Sequence, residues 1–145
     1  SGERKIGKLR YILIEIATSR LGDVHSFRAG DGAPAIYSSK ARTLIDAIYD
    51  WSRFNGIPRA FRWIRKAVAE DPAMAGKLVR AALKYSNQGT LRRLGFVLSH
   101  LNVKKKLLTQ LLRAIRPSKS LIPLVPTAPV RGKNDPVWGI TINES

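Results

Sequence analysis

Five amphipathic stretches fill the middle of this chain, and the short connections between them, which contain helix-breaking residues, limit how it can fold. Apolar residues recur every three or four positions, as at Phe61, Ile64 and Val68, which is the spacing of one helix face. The stretches span residues 38–51, 58–71, 72–86, 89–102 and 103–116. Connections of about two to five residues favour antiparallel neighbours or a short helical array. The sequence therefore predicts about five helices packed against one another.

Capping residues and prolines mark where these helices begin. Ser38 or Ser39 is expected to cap the first helix, and Asn87 or Thr90 the fourth. Pro58 suits the first turn of the second helix, where its missing N–H costs nothing. The other predicted buried faces are Leu44/Ile45/Ile48/Trp51, Met74/Leu78/Ala82/Tyr85, Leu91/Leu94/Leu98/Leu101 and Leu108/Leu111/Ile115.

Strand patterns lie at the two ends of the chain. Residues 9–16 alternate as a strand buried on at least one face, and residues 35–39 form a second short strand. After a proline-rich segment, residues 137–143 alternate again, with Trp138 expected in the core. A short strand must be paired, so we expect the tail to return and pair with the N-terminal strands. The predicted fold class is α+β, a small sheet packed with about five helices in a single domain over 1–145.

Positive charge dominates the composition: 26 Lys plus Arg against 10 Asp plus Glu, a formal charge of +16. Residues 72–134 contain no acid at all. Self-repulsion of this size destabilises the compact state, so a polyanionic or acidic partner is expected. No apolar run approaches the roughly 18 residues of a membrane span, and no membrane role is expected. The lack of cysteine excludes disulfides and thiolate sites, and a reducing cytoplasm is the simplest compartment.

Catalytic motifs are hard to find. His25 and His100, expected in a loop and on a helix, lack the spacing of a metal site. His100 follows Ser99, but consecutive helical residues point about 100° apart and should not bond usefully. Asp46 and Asp50 are expected to pair with Arg42, Arg53 or another basic neighbour. We therefore expect no enzyme, no metal and no cofactor. The alternative is an enzyme acting on nucleotides, which requires Asp46 and Asp50 to converge with His100 in a basic cleft.

Basic stripes are better candidates for a binding surface. Lys77, Arg80 and Lys84 are spaced three and four apart, opposite the predicted apolar face of their helix. A Lys triplet at the start of the last helix opposes the macrodipole, which suggests another purpose. The predicted nucleic-acid or toxin contacts are Lys77, Arg80, Lys84, Arg92, Arg93, Lys104, Lys105 and Lys106. Trp63, off its helix's apolar stripe, is the candidate exposed aromatic; the simpler alternative for any one stripe is a solvated helix face.

Three stretches of the sequence together resemble a known protein family. "YSSKARTLIDAIYD", "GTLRRLGFVLSHL" and "VPTAPVRGKNDPVWGITIN" are similar to the C-terminal domain of AbiEi-like antitoxins, the transcriptional regulators of abortive-infection (type IV) toxin–antitoxin systems. The resemblance covers about residues 8–143. It is most specific in the tail, at Val125-Pro126, Gly132, Trp138-Gly139 and Asn143. Ser39 and Lys40 depart from it, since they stand where the family typically has a Pro-Glu pair.

The resemblance implies two partners. In that family an N-terminal winged helix-turn-helix binds operator DNA, and the domain similar to this chain supports repression and neutralises a nucleotidyltransferase-like toxin. Ser1-Gly2 resembles a tag-cleavage scar, so we expect an excised piece that lacks the winged helix. The leading hypothesis is an antitoxin and regulator domain involved in phage defence. A general nucleic-acid-binding module without a toxin is the alternative, and the oligomeric state stays open.

Overall fold

The helices and strands come from a computed structural model, which describes residues 2–13, 15–28 and 30–144. Its helices are α1 (Lys40–Tyr49), α2 (Trp51–Phe54), α3 (Arg59–Glu70), α4 (Met74–Tyr85), α5 (Gln88–Ser99) and α6 (Lys105–Ala114). Its strands are β1 (Gly2–Ile6), β2 (Leu9–Leu13), β3 (Val24–Arg28), β4 (Pro34–Ser38), β5 (Ile122–Pro123), β6 (Lys133–Asp135) and β7 (Ile140–Ile142). A 3₁₀ turn spans Thr18–Arg20. The mixed α+β class is confirmed.

Capping side chains hold two helix starts. Ser39 Oγ accepts a hydrogen bond of 3.1 Å from the Arg42 amide, and Asn87 Oδ1 accepts one of 2.9 Å from the Thr90 amide. Each bond satisfies an N–H that a helix leaves without an internal partner. Asn55 ends α2, where it takes a left-handed conformation with φ of 49°. Of the two capping alternatives in each case, Ser39 and Asn87 are correct.

The core lies between the helices, with α4 at its centre. α4 packs against α1, α5 and α6, and α3 packs against α1. The predicted stripe Phe61/Ile64/Val68 is buried, and so are Met74, Leu78, Ala82 and Tyr85 of α4. Burying one large aliphatic or aromatic side chain contributes about 1.5–3 kcal/mol. The helix periodicity therefore identified the faces that form the core, although the predicted members Trp51, Leu101, Leu108 and Ile115 are only partly buried against it.

The C-terminal strand does not pair with the N-terminal strands, and that prediction is wrong. β7 lies between β5, which runs parallel to it, and β6, which runs antiparallel. The Ile122 amide donates to the Gly139 carbonyl at 3.0 Å, and the Leu124 amide to the Thr141 carbonyl at 2.9 Å. Both partner strands come from the proline-rich segment just before β7. Pairing with nearby chain costs less loop-closure entropy than pairing across the whole domain.

The N-terminal strands form two separate hairpins, β1 with β2 and β3 with β4. The β2 face that carries Leu9 and Tyr11 is exposed, at 62% and 43%, so that face is not buried. The expected burial of Ile12 and Ile14 falls outside the residues whose side chains the structure describes. The strand expected near residues 35–39 is confirmed as β4. His25, expected in a loop, lies in β3 instead.

Trp138 holds the sheet of β5, β7 and β6, here called the C-terminal sheet, against the helices. Its predicted burial is confirmed. Only 3% of the residue is exposed, and its six-membered ring lies directly against Gly95 of α5. Asn143 closes the same region, because its Oδ1 accepts from the Val125 amide and its Nδ2 donates to the Val125 carbonyl, both at 2.8 Å. The tail is therefore part of the core and not an appendage to it.

Candidate polyanion-binding groove

The exposed side of α4 forms one wall of a groove. Lys77, Arg80 and Lys84 are exposed there, while the opposite side of the helix is buried. The second wall comes from Lys40, in the first turn of α1, and His25 of β3. The space between the walls is about 520 Å³. We call this cavity, lined by Lys40, Lys77, Arg80, Lys84 and His25, the α4 groove.

An acidic residue also borders the α4 groove, but it is already engaged. Asp23 Oδ2 accepts a hydrogen bond of 2.6 Å from Ser39 Oγ, and the Asp23 carbonyl accepts one of 2.9 Å from the Ser39 amide. These two bonds tie the segment before β3 to the start of α1. Asp23 thereby joins β3 to the start of α1, the two parts of the second wall.

A partly buried network of ion pairs and hydrogen bonds also holds the segment before β3. Asp46 Oδ1 lies 2.7 Å from Arg20 Nη2 and 3.1 Å from Arg42 Nε. Arg42 also donates to the Gly22 carbonyl at 3.1 Å, and Arg20 to the Tyr85 carbonyl at 2.9 Å. The predicted ion pair is confirmed for Asp46 with Arg42, whereas Asp50 has no cation within 4.0 Å among the described residues. Sequence reasoning missed Arg20, because nothing in a local pattern links it to an acid 26 residues away.

The groove cations have no carboxylate partners among the residues that the structure describes. The cations that lie within 4.0 Å of a carboxylate are Arg10, Arg20, Arg42, Arg65 and Lys66. Lys40, Lys77, Arg80 and Lys84 are not in that set. Several unpaired cations facing one concave surface focus a positive potential that attracts anions.

The Lys triplet lies at the start of α6, beside the groove. Lys104 and Lys106 line a second depression, of about 520 Å³, and Arg80 of α4 borders this depression as well. Arg80 therefore joins the triplet to the α4 groove. Lys105 is exposed at the same helix start. Positive charge at this end opposes the helix dipole. Lys104 forms no side-chain capping bond there, which leaves backbone N–H groups of the first turn without that partner. A bound anion would offset the positive charge and accept hydrogen bonds from these N–H groups.

Arg92 and Arg93 do not belong to an exposed basic face, and their predicted placement is corrected. Each is only 8% exposed. Arg92 donates to the carbonyls of Ser120, at 2.7 Å, and Trp138, at 3.0 Å, while Arg93 donates to the Pro123 carbonyl at 3.1 Å. Burial, together with the neighbouring charge of Arg92, lowers the pKa of Arg93 to about 10. These two arginines hold the C-terminal sheet on α5.

Trp63 is exposed, at 46%, as its sequence position indicated. The Arg59 guanidinium lies 5.8 Å from the centre of its ring, close enough for a weak cation–π contact. Trp63 is on α3 and does not line the α4 groove. Its candidate role as an aromatic contact stays a prediction, separate from the groove.

The Ser99–His100 pair differs from expectation. His100 lies just past the end of α5, with φ of −96° and ψ of 6°, and its Nδ1 comes within 3.2 Å of Ser99 Oγ. The argument from two helical residues therefore does not hold. Ser99 Oγ donates to the Phe96 carbonyl at 2.6 Å, and His100 Nδ1 lies 2.9 Å from the same oxygen. This geometry closes the end of a helix.

Other chemistry-bearing groups do not gather at the groove. Asp46, Asp50 and His100 do not line it. Over residues 2–13, 15–28 and 30–144, no group of three or more His, Cys, Asp or Glu side chains has an arrangement that could hold a metal ion. In the same ranges, none of the helices combines the length and the apolar character that crossing a bilayer requires.

Fold and groove together define an α+β domain with a cationic groove on its central helix. No family model matches the chain, and comparison with curated proteins and with solved structures finds no match. The resemblance to AbiEi-like antitoxins therefore stays a prediction.

Proposed function

We propose that this domain is the antitoxin and regulatory part of an abortive-infection toxin–antitoxin system, and that it binds a polyanionic or acidic partner through the α4 groove. The observation that carries the groove's role is the set of exposed, unpaired cations Lys40, Lys77, Arg80 and Lys84 around one cavity. The assignment to an antitoxin is supported by the sequence resemblance. On this proposal the domain is not an enzyme, needs no cofactor and acts in the cytoplasm.

DNA is one partner that this groove suits. Phosphates along a nucleic-acid backbone would meet the α4 cations first, with Lys104, Lys105 and Lys106 beside them. Neutralising about five phosphates gives a slope of roughly −4 to −5 for log K against log salt. Contacts of this kind position a protein on DNA without selecting a sequence.

A nucleotidyltransferase-like toxin is the second partner. Such enzymes hold catalytic carboxylates, so a toxin of this kind presents acidic groups at its site. A cationic groove is complementary to acidic groups by the same electrostatics that apply to DNA. Competition between DNA and toxin for the α4 groove would link neutralisation to control of transcription.

The test compares two triple variants with the same change in charge. Lys77→Glu/Arg80→Glu/Lys84→Glu reverses the groove, and Arg113→Glu/Arg116→Glu/Lys119→Glu reverses three exposed cations elsewhere. We expect the groove variant to lose salt-dependent DNA binding in fluorescence anisotropy and to lose toxin rescue in cells. The control variant should keep most of both. Equal losses in the two variants would show that only net charge matters.

A general nucleic-acid-binding module is the second candidate, and the formal charge of +16 favours it. Co-expression with the product of the neighbouring gene separates the two candidates. A nucleotidyltransferase-like partner that copurifies supports the antitoxin. Salt-sensitive binding to any nucleic acid, with no such neighbour, supports the module.

A further inference from the structure

One face of the β3–β4 hairpin is aromatic. His25 and Tyr37 are directly opposed across the two strands, and Phe27 is two residues further along the same face as His25. The ring centres of His25 and Tyr37 are 5.6 Å apart, and those of Phe27 and Tyr37 are 5.7 Å apart. We call His25, Phe27 and Tyr37 the aromatic face.

This face is open to solvent. Phe27 is 54% exposed and Tyr37 51% exposed. Contiguous exposed apolar surface is a common mark of a binding site. The opposite face of the hairpin carries Val24 and Ile36, which are exposed at 52% and 72%. Exposure therefore does not distinguish the two faces, but only the aromatic one offers rings for stacking.

The aromatic face adjoins the cationic groove. His25 belongs to both, since it lines the α4 groove together with Lys77, Arg80 and Lys84. The base of the hairpin is held in place, because Ser39 bonds to Asp23 through both its amide and its hydroxyl. Rings and cations thus sit side by side on a supported framework.

We propose that this combined surface binds single-stranded nucleic acid, with the sugar–phosphate backbone along the α4 groove and unpaired bases stacked on Phe27 and Tyr37. Proteins that bind single strands combine a cationic groove with aromatic rings, because every base has a face that can stack. In a duplex those faces are covered by neighbouring base pairs. The charge of the groove favours a nucleic acid over an uncharged peptide as the occupant.

The inference rests on the proposed function, because it uses the same groove, but it names the ligand more narrowly. It also predicts that the groove and the aromatic face act differently. Reversing the groove should weaken binding to single strands and duplexes alike. Removing the rings should weaken binding to single strands and leave binding to duplexes nearly unchanged.

The experiment measures anisotropy of labelled DNA and RNA strands of about 12 nucleotides, within the usual site-size range, and of the matching blunt duplex. Phe27→Leu/Tyr37→Leu removes the rings and keeps apolar side chains. Val24→Ala/Ile36→Ala changes the opposite face of the same hairpin and serves as the control. Circular dichroism melts establish that both variants are folded.

We expect the ring variant to lose about 10- to 100-fold in affinity for single strands, since stacking on two rings is removed. Duplex affinity should change less than about twofold, because its contacts are to phosphates. The control should bind all probes like the wild type. DNA and RNA strands report which sugar the surface accepts.

Several results would overturn the inference. Unchanged single-strand affinity in the ring variant removes the stacking role, while the proposed function stands if the groove variant still loses binding. A loss shared equally by duplex and single strand has the same effect. If the ring variant loses toxin rescue in cells but still binds single strands like the wild type, the aromatic face is a protein-docking surface. Absence of salt-dependent binding in the wild type refutes DNA binding through the groove itself.

Discussion

Gly95 offers a sharp test of how the C-terminal tail is packed. It lies in the middle of α5, and a Cβ built on it would come 2.6 Å from Trp138 Cη2 and closer still to two other ring atoms. Gly76 of α4 is the matched control. A Cβ there meets only the flexible end of Arg80, at 3.4 Å. Both glycines are helical, Gly76 in the first turn of α4 and Gly95 inside α5, and their surroundings are opposite.

The expected free energies follow from this difference. Replacing a helical glycine with alanine gains about 0.5–1 kcal/mol, because alanine loses less backbone entropy on folding. Gly76→Ala should receive part of that gain. In Gly95→Ala the ring of Trp138, a residue that is only 3% exposed, must move. Overpacking of this kind costs about 1–3 kcal/mol. We expect Gly95→Ala to lie about 2 kcal/mol below Gly76→Ala, or roughly 4–8 °C in Tm.

Urea unfolding followed by far-UV circular dichroism measures both variants, with Gly95→Ala repeated in a Trp138→Leu background. Leucine lacks the six-membered ring, so the penalty at residue 95 should vanish there, and the cycle should show a coupling energy above about 1 kcal/mol. A Gly95→Ala protein that is stabilised like Gly76→Ala would refute the packing. So would a penalty that persists without the indole.

Three further predictions concern the contacts that support the site. Deleting residues 137–145 removes Trp138 and β7, so the cooperative thermal transition should be lost; a truncated domain that melts cooperatively contradicts this. Arg92→Lys should lower the unfolding free energy by about 2–3 kcal/mol in urea titrations, because an ammonium cannot serve the same carbonyls as a guanidinium fork. An unfolding free energy within about 0.5 kcal/mol of the wild type, as for an ordinary surface substitution, counts against this role. Glu144→Gln should lower the unfolding free energy by at most about 1 kcal/mol, since its ion pair with Arg65 is partly exposed. A larger loss in the same titration would show that this ion pair stabilises the fold as a buried one does.

Helix periodicity and capping chemistry were sufficient to locate most of the helical core. The stripe Phe61, Ile64 and Val68 and the caps Ser39 and Asn87 are local features, set by neighbours within one or two turns. The stripe Lys77, Arg80 and Lys84 is equally local, because a helix places residues three and four apart on one side. The sequence therefore indicated one wall of the α4 groove.

Tertiary packing decided the rest. Arg92 and Arg93 lie off the leucine face of α5, and a single apolar face cannot reveal that the C-terminal sheet covers the other side of that helix. The partners of β7 depended on which extended segment lay nearest, and the groove depended on Lys40 and His25 meeting α4 from distant parts of the chain. Local sequence determines which side chains share a face. Only the folded chain determines what lies against that face, because contacts between distant segments leave no periodic trace in either one.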